Sequence, residues 1–204
     1  GHHGYDIAIS QAATRTVHSG TVALTQAMID AEEQISITES GRSVDFKTKA
    51  GTTIEQTLNE LDKAIKTAGL NVELIRDISS KAVRNSPQQL TLRHTKFGSE
   101  YFFQVSSNTA GLLSAVADVS ERAQNGVDVA GEIAGEGAVG RGRLLTGAGG
   151  FGAKAEGIVI RYDGLEAPPA GQRAGTITFS QNSLSFQVGG NANQTTKVSL
   201  SSVK

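Results

Sequence analysis

Cysteine is absent from this 204-residue chain, which excludes structural disulfides, thiolate-bound zinc and thiol nucleophiles. The absence agrees with export in an unfolded state. Tryptophan is also absent, methionine occurs once and aromatics make up 5% of the residues. The core must therefore be built from small aliphatic side chains, which points to thin or elongated domains. Three prolines leave no Pro-rich linker. No stretch approaches the run of about 18 apolar residues that a membrane-spanning helix needs. The formal net charge is −1 and the basic residues are scattered, so no field favours nucleic acid or an anionic membrane. Glycine is plentiful at 24 residues, the signature of many tight turns. Residues 1–4, GHHG, look like the remnant of an affinity tag and are set aside.

The pattern along the chain is that of an α+β protein, predominantly antiparallel β with one clear amphipathic helix. Residues 5–20 alternate apolar and polar positions and read as one or two short strands, and 21–33 allow a short helix. Ile35 and Ile37 alternate before Ser40-Gly41, and Val44 and Phe46 after it, a β-hairpin signature. Thr53 with Gln56 forms a capping box. Ile54, Leu58, Leu61 and Ile65 then share one helix face, and Gly69 ends the helix. Strands are expected at 71–77, 89–95 and 101–107, so that one helix covers one face of a small antiparallel sheet. Residues 108–128 carry no clear period. From 129 onward the chain reads as all-β, with strands at VAGEIA, GRLLT, GIVIRYD, GTITFSQ, SLSFQV and TKVSLS. Both ends look like strands that pair with each other. That predicts two subdomains: a discontinuous β domain from 5–33 plus 129–204, and an inserted α+β subdomain at 34–128.

Chemistry-bearing motifs are sparse. Gly147, Gly149 and Gly152 satisfy GxGxxG, but a dinucleotide site needs a helix next, and AKAEGIVIRYD is strand-like. His18 and His94 stand far apart in sequence, outside any metal-ligand spacing, and read as surface or edge residues. Asp30, Glu32 and Glu33 form the densest acidic cluster and read as a solvated helix end. No GxSxG elbow is present. Catalytic, cofactor and metal residues are all expected to be none, and the protein is expected not to be an enzyme. Arg141 and Arg143, flanking Gly142, are candidate contacts for a neighbouring subunit or an anionic glycan, or else solvated side chains that guard a strand edge. Asn193-Gln194-Thr195 is a glycosylation sequon in form and reads as a turn.

One resemblance gives the sequence a context. Val129-Ala130-Gly131, Ile133, Gly135, Ala138, Gly140, Gly142 and Leu145-Thr146-Gly147 resemble the short Gly-rich module of bacterial flagellins and flagellar filament-cap proteins. Gly157-Ile158, Ile160, Tyr162 and Gly164 continue it. Where that family commonly has Asn-Gly at the first turn, this chain has Ala134-Gly135. Residues 181–200 (Phe186-Gln187-Val188-Gly189, then Asn191 to Thr195) resemble the flagellin strand pair that precedes the core helices, which cap proteins share less often. The heptad-bearing terminal helices of flagellins are not in this chain. The resemblance therefore implies an outer, surface-exposed portion of a flagellin. Its partners would be other flagellin subunits, met through core helices absent here, and the isolated fragment would be monomeric. The location would be secreted, on the flagellar filament, with no cofactor, nucleic acid or membrane involved. The filament-cap protein is the near alternative, and a carbohydrate-binding adhesin module a further one.

Overall fold

The computed structural model describes residues 4–180, 183–188 and 198–200. In chain order its first elements are β1 (Tyr5–Gln11), β2 (Arg15–Leu24), α1 (Gln26–Asp30), β3 (Gln34–Glu39), β4 (Arg42–Lys47), α2 (Ile54–Thr67), β5 (Val72–Ile75), α3 (Lys81–Arg84) and β6 (Gln88–Phe97). There follow β7 (Gln104–Ser107), β8 (Glu121–Arg122), β9 (Ala130–Ile133), β10 (Glu136–Arg141), β11 (Leu144–Gly147), β12 (Ile158–Arg161), β13 (Gly175–Ser180), β14 (Ser183–Val188) and β15 (Val198–Leu200).

The chain divides into two compact units. The first takes in residues up to Thr14, Phe97–Ser99 and the chain from Val127 onward; the second is Arg15–Lys96 with Glu100–Gly126. The sequence reading keeps 15–33 with the first unit. Instead β2 pairs with β6 in a three-stranded sheet, and Leu24 and Ile29 lie fully buried in the second unit's core.

In the first unit one eight-stranded antiparallel sheet runs in the order β14-β13-β1-β9-β10-β11-β12-β15. β1 pairs with β13 and β9, and β15 with β12. The two chain ends thus share a sheet without pairing directly. Among the described residues all three helices belong to the second unit. With no helix to cover it, the apolar face must be covered by the sheet itself. Ile7, Ile9, Ile133, Leu145, Ile158, Ile160 and Ile177, drawn from five strands, accordingly form a single buried cluster.

β10 has no counterpart among the expected strands. Its sequence, EGAVGR, carries two glycines and places Ala138 beside Val139, so the apolar–polar alternation that marks a strand is missing from the sequence, although half-buried and exposed positions do alternate along the strand. The turn before it closes on Ile133↔Glu136, with Ala134 at φ 57 and Gly135 at φ 75. Two successive positive φ values define a type I′ hairpin turn, for which Asn-Gly is preferred. An alanine in the left-handed region costs about 1 kcal/mol or more. Ala134→Asn is therefore expected to raise stability by roughly 0.5–1 kcal/mol, read as a higher denaturant midpoint at unchanged slope; an unchanged midpoint would mean that the turn bears no strain.

In the second unit the expected single sheet is two, β2-β6-β5 and β4-β3-β7-β8. The Ser40-Gly41 hairpin forms as read, closing on Glu39↔Arg42. So does α2: Gln56 N–H donates to Thr53 Oγ1 at 3.1 Å, and Thr53 N–H donates to Gln56 Oε1 at 3.0 Å. Its face of Ile54, Leu58, Leu61 and Ile65 is buried in one cluster with Ile35 and Ile37 of β3 and Leu90 and Leu92 of β6. Both sheets and the helix thus contribute to a single core.

Candidate functional site

The Gly-rich module folds as four consecutive antiparallel strands, β9 to β12. Its glycines answer a demand for space. A Cβ on Gly131 would stand 2.1 Å from the Ala8 carbonyl oxygen, one on Gly140 1.6 Å from that of Val129, and one on Gly147 1.9 Å from that of Ala155. Backbones approach one another here at distances that exclude any side chain.

The Arg141-Gly142-Arg143 turn is fixed from beneath by Asp128. The Asp128 carboxylate accepts from Gly142 N–H at 2.7 Å, Ser99 N–H at 3.0 Å and the Ser99 hydroxyl at 2.5 Å. Burial opposes its ionisation. The hydrogen bonds from the Ser99 side chain and from the Gly142 and Ser99 amides outweigh that, with help from Arg141, and hold the carboxyl below its ordinary value. A folded pKa below the unfolded one contributes stability above the unfolded value that is lost as pH falls through the folded one. The parent chain should lose stability below about pH 4, and in Asp128→Asn that acid limb should flatten. An identical slope in thermal melts of the two proteins would count against this role.

The two candidate arginines differ. Arg143 donates from Nη1 to Asp163 at 3.2 Å, and its guanidinium lies 3.4 Å from the centre of the Phe97 ring. Asp163 also pairs with Arg161 at 2.7 Å. Arg143 is thus committed to its own unit, whereas Arg141 is exposed opposite Leu144, itself 45% exposed. Val139 on the same strand is 66% exposed. After Gly152 the chain enters a turn and then β12, so the GxGxxG glycines precede a strand and not the helix a pyrophosphate would require.

In the second unit His94 is fully buried, contrary to the surface or edge position read from sequence. Its Nδ1 accepts from Lys96 N–H at 3.0 Å, which leaves Nε2 as the N–H facing Glu39 Oε1 at 3.4 Å. His94 also stacks on Tyr101. Glu39 is likewise buried and accepts from Ser40 Oγ at 2.6 Å and Asn71 N–H at 3.1 Å. Burial pushes its carboxyl up, but the bonds from Ser40, Asn71 and His94 hold it below its ordinary value. The pair resembles half of a hydrolase triad. With Nδ1 occupied by a backbone amide and Nε2 facing Glu39, the pair ties β3 to β6. His18 Nε2 lies 2.7 Å from the Leu113 carbonyl.

The acidic cluster also departs from expectation. Glu33 is buried, accepting from Thr109 N–H at 2.9 Å and the Thr109 hydroxyl at 2.5 Å, because it leaves the helix end pointing inward. Glu32 pairs with Lys47 at 2.6 Å. Among the described residues no three His, Cys, Asp or Glu side chains gather as a metal site would require. No helix among them is long and apolar enough to cross a membrane. Asn193 lies outside the described residues. Sequence reasoning missed Asp128 and Glu39 altogether, since a lone carboxylate has no motif when its donors come from distant segments.

Two β-rich units built on antiparallel sheets make this a mainly β protein of the α+β class. No family model and no curated protein matches the chain. Among solved structures it is similar to the D1-D2-D3 domains of the flagellar cap protein FliD from Escherichia coli, at 13% identity and a TM-score of 0.47, covering 98% of this chain and 52% of that one. It thus spans about half the length of that structure. The D2-D3 domains of the cap protein from Serratia marcescens are similar at 11% identity and a TM-score of 0.48, covering 99% of this chain and 94% of that one. FliD (HAP2) from Pseudomonas aeruginosa PAO1 is similar at 18% identity and a TM-score of 0.48, covering 90% and 82%. At such values the correspondence is a loose one of chain path.

Proposed function

We propose that this chain is an outer, surface-exposed portion of a bacterial flagellar cap protein, secreted and structural in role, working in filament assembly and not in catalysis. The observation that carries the reading is the segment 129–164. Residues that resemble the flagellin and cap-protein module fold as the unbroken meander β9–β12, and Gly131, Gly140 and Gly147 stand where no side chain fits. The flagellin reading, which the sequence resemblance put first, leaned in addition on 181–200 as a strand pair. β14 and β15 instead lie on opposite edges of the eight-stranded sheet, which favours the cap reading over the filament-subunit reading. The names borne by the similar solved structures agree with that choice without carrying it.

On this reading the partners are further copies of the longer parent, with Arg141 as an outward contact. The isolated piece is monomeric, and it needs no cofactor, nucleic acid or membrane. Electron microscopy of the longer parent protein is the test. Closed rings are expected; filaments that persist, thinner, after removal of residues 5–204 would instead restore the flagellin reading.

A further inference from the structure

We propose that a hollow on the outward face of the second unit's four-stranded sheet binds a single neutral sugar residue. The hollow follows from side-chain length. On β3 and β7 the outward positions Ser36 and Ser106 are short and paired across the strands, while Gln34, Asp45, Asn108 and Asp118 rise around them. The space enclosed is about 220 Å³, enough for one monosaccharide ring and below the range of pockets that enclose larger ligands.

The lining is rich in hydrogen-bonding groups not spent inside the protein. Asn108 uses Oδ1 to accept Gln34 N–H at 2.9 Å, which leaves its Nδ2 protons to donate outward. Asp45 takes the Ser36 hydroxyl on Oδ1 at 2.8 Å, leaving Oδ2. The Asp118 carboxylate is a third polar group facing the space, carried on a residue held at φ 59. Carboxylates that accept from vicinal hydroxyls, beside an amide that donates to ring or hydroxyl oxygens, are the complement of a sugar diol. The charges narrow the class. Lys47 at the rim is already paired with Glu32, so the hollow is net negative and disfavours sialic acids, uronic acids and phosphosugars. A cation fits poorly, because only two carboxylates line the hollow and no larger acidic group exists among the described residues. Phe46, half-buried, is the one aromatic in the lining, and affinity should be in the millimolar range, as expected for a few polar contacts in an open site. This inference is independent of the flagellar reading.

The test is a titration of the ¹⁵N-labelled chain with methyl α-D-mannopyranoside and methyl β-D-galactopyranoside into the tens of millimolar, followed by amide correlation spectra. At least one glycoside should shift the amides of Gln34, Ser36, Asp45, Ser106, Asn108 and Asp118 and few others. Asp118→Asn, which tolerates the left-handed backbone, should weaken the effect by roughly tenfold, and Ser106→Leu should abolish it by filling the floor. The proposal is overturned if neither glycoside shifts these amides or if glycerol reproduces the shifts. It is equally overturned if Asp118→Asn, folded by its thermal melt, binds as the parent does. Asp118 is exposed, so that variant decides the matter even if Ser106→Leu fails to fold.

Discussion

Replacing Gly140 by alanine is expected to destabilise the first unit by about 3 kcal/mol or more. The new methyl would be placed 1.6 Å from the Val129 carbonyl oxygen and 2.7 Å from its carbon. No rotamer relieves a Cβ contact, and the obstacle is backbone, so β9 and β10 must separate or the hairpin must shear. The φ at Gly140 is not in the left-handed region, which makes this a question of space alone. Gly137 on the same strand supplies the control. A Cβ there meets nothing within 4 Å, and Gly137→Ala should be neutral or stabilising by up to roughly 1 kcal/mol through the unfolded state. Denaturant unfolding of the two variants, with amide exchange across β9–β11, separates them. A Gly140→Ala protein as stable as Gly137→Ala would mean that the strands are not held at this distance in solution.

The second large effect is expected from Glu39→Ala. Four donors converge on this buried carboxylate, from the Ser40 hydroxyl, the Asn71 backbone and side-chain amides, and His94. Its removal leaves the half-buried Asn71 amide and the fully buried His94 imidazole N–H without this acceptor, and it opens a cavity. A buried donor left unsatisfied costs about 1–3 kcal/mol, and the cavity adds to that. The loss should register as increased exchange at β3, β5 and β6, with protection in the first unit unchanged. Glu39→Gln keeps the shape and one acceptor oxygen and should recover part of the loss. If Glu39→Ala and Glu39→Gln were equally mild, the carboxylate would be an incidental lodger in the core.

How much of this was legible in the residues depended on the range of the interaction. The hairpin at Ser40-Gly41 and the helix capped by Thr53 were readable because their determinants lie within four residues of one another. The division at Thr14 was not, since β2 belongs to the second unit through partners distant in sequence, among them β6 and the Gly111 carbonyl. β10 escaped notice because its sequence lacks an apolar period of two, and Gly140 answers instead to the neighbouring Val129 backbone. His94 was misplaced for a related reason: a polar residue on a strand looks exposed until its acceptor, here Glu39, is known. The two arginines of the turn are indistinguishable in sequence; Phe97 and Asp163, from separate segments, engage one and leave the other at the surface. The 108–128 segment carried no period because much of it is irregular backbone, with Leu112 and Leu113 filling the core outside any regular element.

The pairing of β1 sets an order of events in time. Ile7 faces Ile133 and Tyr5 faces Ile177, so the first strand has no partner until most of the chain has been made. The loop-closure entropy of those contacts must be met before they yield any stability. Residues 15–126, by contrast, contain nearly everything their own core requires and can condense first, drawing the two flanks of the chain together. The β1 segment then waits as an unpaired apolar strand, and that interval is when the molecule is most exposed to aggregation. Refolding should accordingly show a fast phase reported by the second unit and a slower one reported by β1, with concentration-dependent losses confined to the gap between them.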